Sequence, residues 1–167
     1  MITYLAGKLA AALPTQAVID VSGVGYEVLI PLSSYDRLPL VGQPLHILTH
    51  LHVREDAHIL YGFMSAPERD LFRLLVNHVS GIGPKLALAV LSGMSVGNFK
   101  NAVVNNDVAS LSKIIGLGKK TAARIVLELS DTLGVSAVWE AASRAHAPPP
   151  EDSQAPQPGT PLFPPRT

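Results

Sequence analysis

Gly81-Ile82-Gly83-Pro84-Lys85 and Gly116-Leu117-Gly118-Lys119-Lys120-Thr121 are two copies of one short pattern, their first glycines 35 positions apart. An apolar lead-in precedes each copy. Apolar, helix-forming runs follow at 86–91 and 122–129. Glycine tolerates positive φ and close backbone approach, so each Gly-x-Gly reads as a sharp turn between two helices. The helix that follows presents unpaired N–H groups and the positive end of its dipole. Lys85 in one copy, and Lys119 and Lys120 in the other, add full charges beside those donors. Pro84 falls in a first helical turn, where its missing N–H is harmless. Such a turn suits a phosphate, and a sugar-phosphate backbone held this way is gripped without reading bases.

Other glycine motifs do not fit. A Walker A loop needs a glycine five positions before Gly118, where Lys113 stands. The dinucleotide fingerprint needs a third glycine where Leu86 and Thr121 stand, after a long strand that neither copy has. A tight interhelical turn with no ligand is the bland alternative, and duplication together with the lysines weighs against it.

Apolar residues make up 47% and charged residues 16% of the 167, so a well-buried core is expected. The absence of cysteine excludes disulfides, thiolate metal sites and iron–sulfur clusters, and suits a reducing cytoplasm. Residues 1–13 do not read as a signal peptide, and no apolar run is long enough to span a membrane. A soluble, cytoplasmic protein without cofactor is expected. The net charge of zero hides an uneven distribution. Residues 1–78 carry 5 basic and 7 acidic side chains, residues 79–134 carry 6 and 3, and residues 135–167 carry 2 and 3. Positive charge therefore collects on the doubled motif.

Residues 1–63 read as β structure. β-branched or alternating runs at 2–5, 8–13, 17–21, 26–30, 45–53 and 58–63 are separated by Gly, Pro and Ser turns, with Ser22-Gly23-Val24-Gly25 as a hairpin. Five or six short strands suggest a small barrel such as the OB-fold. Its aromatics (Tyr4, Tyr26, Tyr35, Tyr61, Phe63) are too few for a single-strand stacking platform, and those near strand centres are expected in the core. Arg54-Glu55-Asp56-Ala57 forms a hairpin tip. Its carboxylates can be an ordinary polar turn, a metal-binding pair, or a negative pin that repels DNA phosphates. His50 and His52 share a strand face, but no third ligand stands at a fixed spacing, so no metal site is expected.

From Ser65 the period becomes helical. Ser65-Ala66-Pro67-Glu68 reads as a capping box, and Leu71, Leu74, Leu75 and Val79 form a buried stripe. Ser95 and Asp107 read as N-caps of two short helices that carry Phe99, Val103, Val108 and Leu111 inward. Ile82 and Leu117 read as core plugs, and Gly134 as the terminator of the last long helix. Beyond it come a short Ala-rich helix over 136–147 with Trp139, and a tail in which 8 of residues 148–167 are proline. The fold class is α+β and multi-domain: an OB-fold barrel at 1–63, a tandem helix-hairpin-helix unit at 64–134, and a short helix with a disordered tail at 135–167.

With these features in place, residues 1–134 resemble the RuvA family of bacterial Holliday-junction-binding proteins. The segments that carry the resemblance are Val24-Gly25-Tyr26-Glu27-Val28, Thr49-His50, Val53-Arg54-Glu55-Asp56-Ala57, Leu60-Tyr61-Gly62-Phe63, Gly83-Pro84-Lys85-Leu86-Ala87-Leu88 and Gly118-Lys119-Lys120-Thr121-Ala122. The resemblance implies an OB-fold and two helix-hairpin-helix motifs that assemble as a homotetramer, single or paired, and hold a four-way DNA junction open and flat. It implies that Gly81, Gly83, Lys85, Gly116, Gly118, Lys119, Lys120 and Thr121 contact backbone phosphates. It makes Glu55 and Asp56 an acidic pin at the crossover, with Arg54 countering the pin's repulsion. It further implies the RuvB ATPase and the RuvC resolvase as partners in recombination and repair, and a subunit without catalysis of its own.

The sequence also departs from the family. Thr3, Tyr4 and Ala6 stand where the family usually has a glycine and basic residues, and Ile115 stands where proline is common. The proline-rich tail resembles the linker to the family's third domain, which engages RuvB and has no counterpart in this sequence. A truncated sequence and a junction binder that does not recruit the motor are both open readings. Two other function classes compete. A helix-hairpin-helix nuclease or glycosylase would use Glu55, Asp56 or Asp107 as acids and would make product from junction or damaged duplex. A protein-interaction module would bind DNA no differently after loss of Lys85 or Lys119.

Overall fold

The computed structural model describes residues 1–131, in which a five-stranded barrel leads into a group of helices. The expectations for Gly134, for a helix at 136–147 with Trp139 and for the proline-rich tail lie outside the described residues.

Strands β1 (Tyr4–Leu13), β2 (Gln16–Val21), β3 (Val24–Leu29), β4 (Pro44–Val53) and β5 (His58–Phe63) close in the order β1-β2-β3-β5-β4. All pairings are antiparallel except β3 with β5, where Val28 lies opposite Leu60. This is the OB-like barrel that the strand spacing suggested, and closure removes the free sheet edges that invite mispairing. Leu5, Leu9, Ala17, Ile19, Val28, Leu45 and Ile47 point inward, in step with the period of 2.

Three features differ from the sequence reading. The runs at 2–5 and 8–13 are one strand, because Gly7 lets it bend between partners instead of breaking it. Residues 4–8 pair with β4 and residues 8–13 with β2, and the register slips between Leu9 and Ala11. A Cβ at Gly7 would lie 2.1 Å from the Asp20 carbonyl oxygen, so only glycine fits this crossing. A four-residue helix, α1 (Leu32–Tyr35), follows β3, and it is too short to leave a helical period in the sequence. The capping box is not formed. Ser65 is the N-cap of α2 (Ala66–His78), but its side chain makes no cap hydrogen bond. The buried Glu68 instead accepts from Ser34 Oγ at 2.8 Å, and Ser34 Oγ accepts from the Met64 N–H at 3.1 Å. A buried carboxylate takes the tertiary partner because leaving it unpaired would be costly.

Helix α2 joins the two halves. Its Leu71, Leu74 and Leu75 and the following Val79 are buried, as the stripe implied. Phe72, between them, packs its ring 5.0 Å from both Tyr61 and Phe63 of β5 and 5.4 Å from His50 of β4. Tyr61 and Phe63 thus belong to the helical core. Helices α3 (Pro84–Gly93), α4 (Val96–Val104), α5 (Val108–Ser112) and α6 (Lys119–Asp131) complete it. Ser95 caps α4 by accepting from the Asn98 N–H at 3.2 Å. Asp107 caps α5, and its carboxylate takes both the N–H and the hydroxyl of Ser110, which hold its carboxyl below the usual range. Phe99, Val103 and Leu111 are buried, with Val108 packed against them.

Candidate nucleic-acid interface

The two Gly-x-Gly turns share a left-handed first glycine and the same backbone hydrogen bonds. Gly81 and Gly116 have φ of +78° and +87°, the left-handed region where a β-carbon is strained. The Ile82 N–H donates to the Val79 carbonyl at 3.3 Å, and the Leu117 N–H to the Ile114 carbonyl at 3.0 Å. Beyond each turn, the Ala87 N–H donates to Gly83 at 3.1 Å and the Ala122 N–H to Gly118 at 2.9 Å. These bonds, 35 residues apart in pairs, make the sequence repeat a structural one. Ile82 and Leu117 are buried plugs, which holds the residues on either side outward.

Gly83 and Gly118 lie at the N-termini of α3 and α6, and both are exposed. A Cβ built on either would meet nothing within 4 Å, so no neighbouring group of the described residues requires glycine there. Close approach by a ligand strand is a reason that remains, beside glycine's modest preference for N-caps. Lys85, Lys119 and Lys120 are exposed and form no ion pair among the described residues, while Thr121 is half-buried. Among the described residues, both turns therefore offer helix-start amides without a backbone partner beside ammonium groups without an ion pair, an anion-binding arrangement.

The turns lie against each other's helices. A Cβ on Gly81 would come 2.9 Å from Arg124 Nη1 of α6, and one on Gly116 would come 3.8 Å from Leu86 Cδ2 of α3. The first turn is also strapped to α6. Glu128 accepts from the Ser80 N–H at 2.7 Å and from its hydroxyl, and Arg124 donates to the Ser80 carbonyl at 3.4 Å. The sequence reading missed this strap, because its members stand 48 and 44 positions apart with no local signature.

The strap sets a pH dependence. The Ser80 hydroxyl and amide hold the Glu128 carboxyl below the ordinary glutamate value of 4.5. A carboxylate with a depressed folded-state pKa stabilises above its unfolded value, and that contribution is lost as pH falls through the folded one. The Ser80 amide resonance is expected to follow a carboxyl titration whose midpoint lies below 4.5, and Glu128→Ala should abolish it. A Ser80 amide that ignores acid in the intact protein would remove the strap.

Glu55 and Asp56 stand elsewhere, at the tip joining β4 to β5, where the Arg54 N–H donates to the Ala57 carbonyl at 2.8 Å. Arg54, Glu55 and Asp56 are exposed and form no ion pair with one another or with either turn among the described residues. His50 and His52 do not converge on a common ligand. Nδ1 of His50 accepts from Arg73 Nε at 3.3 Å, and burial followed by the Arg73 charge pushes its imidazole pKa down. His52 instead lies edge-on to Tyr61 at 6.4 Å.

A family model described as the RuvA N terminal domain matches residues 1–62, and one described as a SAM-like helix-hairpin-helix tandem matches residues 72–131. Proteins named Holliday junction branch migration complex subunit RuvA are similar to this chain. That of Methylibium petroleiphilum is 51% identical over 134 residues, covering 80% of this chain and 69% of the relative. That of Chromobacterium violaceum is 54% identical over 133 residues, covering 80% and 67%. That of Idiomarina loihiensis is 52% identical over 133 residues, covering 80% and 64%. The aligned stretch is thus about two thirds of each relative's length. With family models matching residues 1–62 and 72–131, and relatives more than 50% identical over 80% of its length, the chain belongs to the RuvA family.

Proposed function

We propose that this chain is a structure-specific DNA-binding scaffold that recognises four-way junctions and holds them open for RuvB-driven branch migration in recombination and repair. The observation that carries this reading is the pair of equivalent turns, each with a left-handed glycine, an exposed helix start and exposed lysines that form no ion pair among the described residues. In this reading Gly81, Gly83, Lys85, Gly116, Gly118, Lys119, Lys120 and Thr121 hold phosphates of the duplex arms. Glu55 and Asp56 are a pin at the crossover that repels strands, and Arg54 tempers it. The subunit is non-catalytic and cytoplasmic, acts as a homotetramer, and passes the junction to the motor and to the RuvC resolvase. The names of the relatives, as subunits of a Holliday junction branch migration complex, support junction DNA as the ligand and a role within such a complex.

Affinity for a synthetic four-way junction should exceed that for linear duplex of equal length, and should fall steeply with salt. Joint replacement of Glu55→Gln and Asp56→Asn should keep or raise junction affinity while changing strand separation at the crossover. Fluorescence anisotropy reads the first, and 2-aminopurine placed at the crossover reads the second. Equal affinity for junction and duplex would refute the function, and a large loss of affinity in the double variant would make those carboxylates structural. Product from labelled junction with Mg2+, abolished by Glu55→Gln, would favour a nuclease instead.

A further inference from the structure

Positions 80 and 115 are equivalent in the two turns, yet among the described residues only the first is held by side chains of another helix. Ser80 is held by Glu128 and Arg124. Ile115 is 92% exposed, above every other large apolar side chain among the described residues. It stands between buried Ile114 and left-handed Gly116, so turning it inward would pull Ile114 out of the core. Lys113, Lys119 and Lys120 are exposed near it in sequence. A groove of about 430 Å³, lined by Gly93, Met94, Ser110, Lys113, Ile114 and Ile115, opens beside it.

We infer that Ile115 is an apolar contact from the second turn to the deoxyribose edge of a duplex strand, next to the phosphate held by that turn's amides and lysines. The inference rests on the DNA-binding reading above and adds a contact to it. A protein partner covering Ile115 would have to desolvate the neighbouring ammonium groups, which is expensive without matched acids. A sugar-phosphate strand offers anionic phosphate and apolar sugar in alternation, the same pairing that this turn presents. The two turns are therefore unequal: the first ends in a serine fixed from within, the second in an isoleucine left for the ligand.

The test is fluorescence anisotropy of Ile115→Ser, Ile115→Leu and the control Val104→Ser on linear duplex and four-way junction, across a salt series. Ile115 is so exposed that neither change at that position threatens the fold. Ile115→Ser should weaken both DNAs about fivefold, the size expected from half-burying one isoleucine side chain. The slope of log affinity against log salt should not change, since no phosphate contact is lost. Ile115→Leu should restore affinity, and Val104→Ser should have no effect. A shallower slope in Ile115→Ser, or unchanged affinity, overturns the sugar contact. So does a change confined to self-association by light scattering, which would assign Ile115 to a second copy of the chain. If the unaltered protein shows no junction preference, the function fails; if it does and Ile115→Ser is neutral, only this inference fails.

Discussion

Phe72→Ala is expected to lower the stability of the described fold by about 3–5 kcal/mol. The ring is fully buried and meets three others, Tyr61 and Phe63 at 5.0 Å each and His50 at 5.4 Å. Two of these partners lie on β5 and one on β4, whereas Phe72 lies on α2. Its removal therefore opens a cavity at the seam between barrel and helices and forfeits the aromatic packing of that seam. Calorimetry should show Tm falling by on the order of 15 °C. The unaltered protein should melt in one transition by strand and helix signals alike, because one cluster holds Tyr61, Phe63 and the helical residues together. A loss below about 1 kcal/mol would mean that the site collapses around the gap, and separate transitions in the unaltered protein would mean that the seam does not couple its halves.

What the sequence disclosed and what it hid divide along the range of the interactions. The glycine turns were legible because a left-handed residue, a buried plug and a helix start leave their marks within a few positions. The acidic tip was legible for a similar reason, since Arg54-Glu55-Asp56-Ala57 separates two runs of strand-forming residues. Ser65-Ala66-Pro67-Glu68 shows the limit of local reading. The pattern has the form of a capping box, but Ser34 lies 34 positions away and takes the carboxylate. The Ser80–Glu128 strap, 48 positions apart, has the same character. Gly7 misled in the opposite direction: a glycine between two β runs suggested a turn, whereas a carbonyl crossing at close range was what required it. Long-range partners decide such cases, and one sequence does not state them.

Those turns also set the largest expected effect on binding. Replacing Lys85, Lys119 and Lys120 together by alanine should weaken junction binding about 10²–10³-fold at low salt. A hydrogen bond to a charged group contributes about 1.5 kcal/mol at the lower end, roughly tenfold in affinity. Three such contacts approach a thousandfold if independent, and less if neighbouring Lys119 and Lys120 share a phosphate. The side chains are exposed and form no ion pair among the described residues, so folding should be untouched and the loss should fall on binding. Two features separate phosphate contact from a general change of charge. The slope of log affinity against log salt should become shallower by about 2.7, at 0.9 per phosphate released. Removing exposed Lys8 and Arg37, which lie outside both turns, should leave that slope nearly unchanged. The loss should also be the same for junctions of different sequence, as expected of a protein that grips the backbone. A triple variant that binds as tightly as the unaltered chain would take the DNA away from the glycine turns and give those helices to a protein partner.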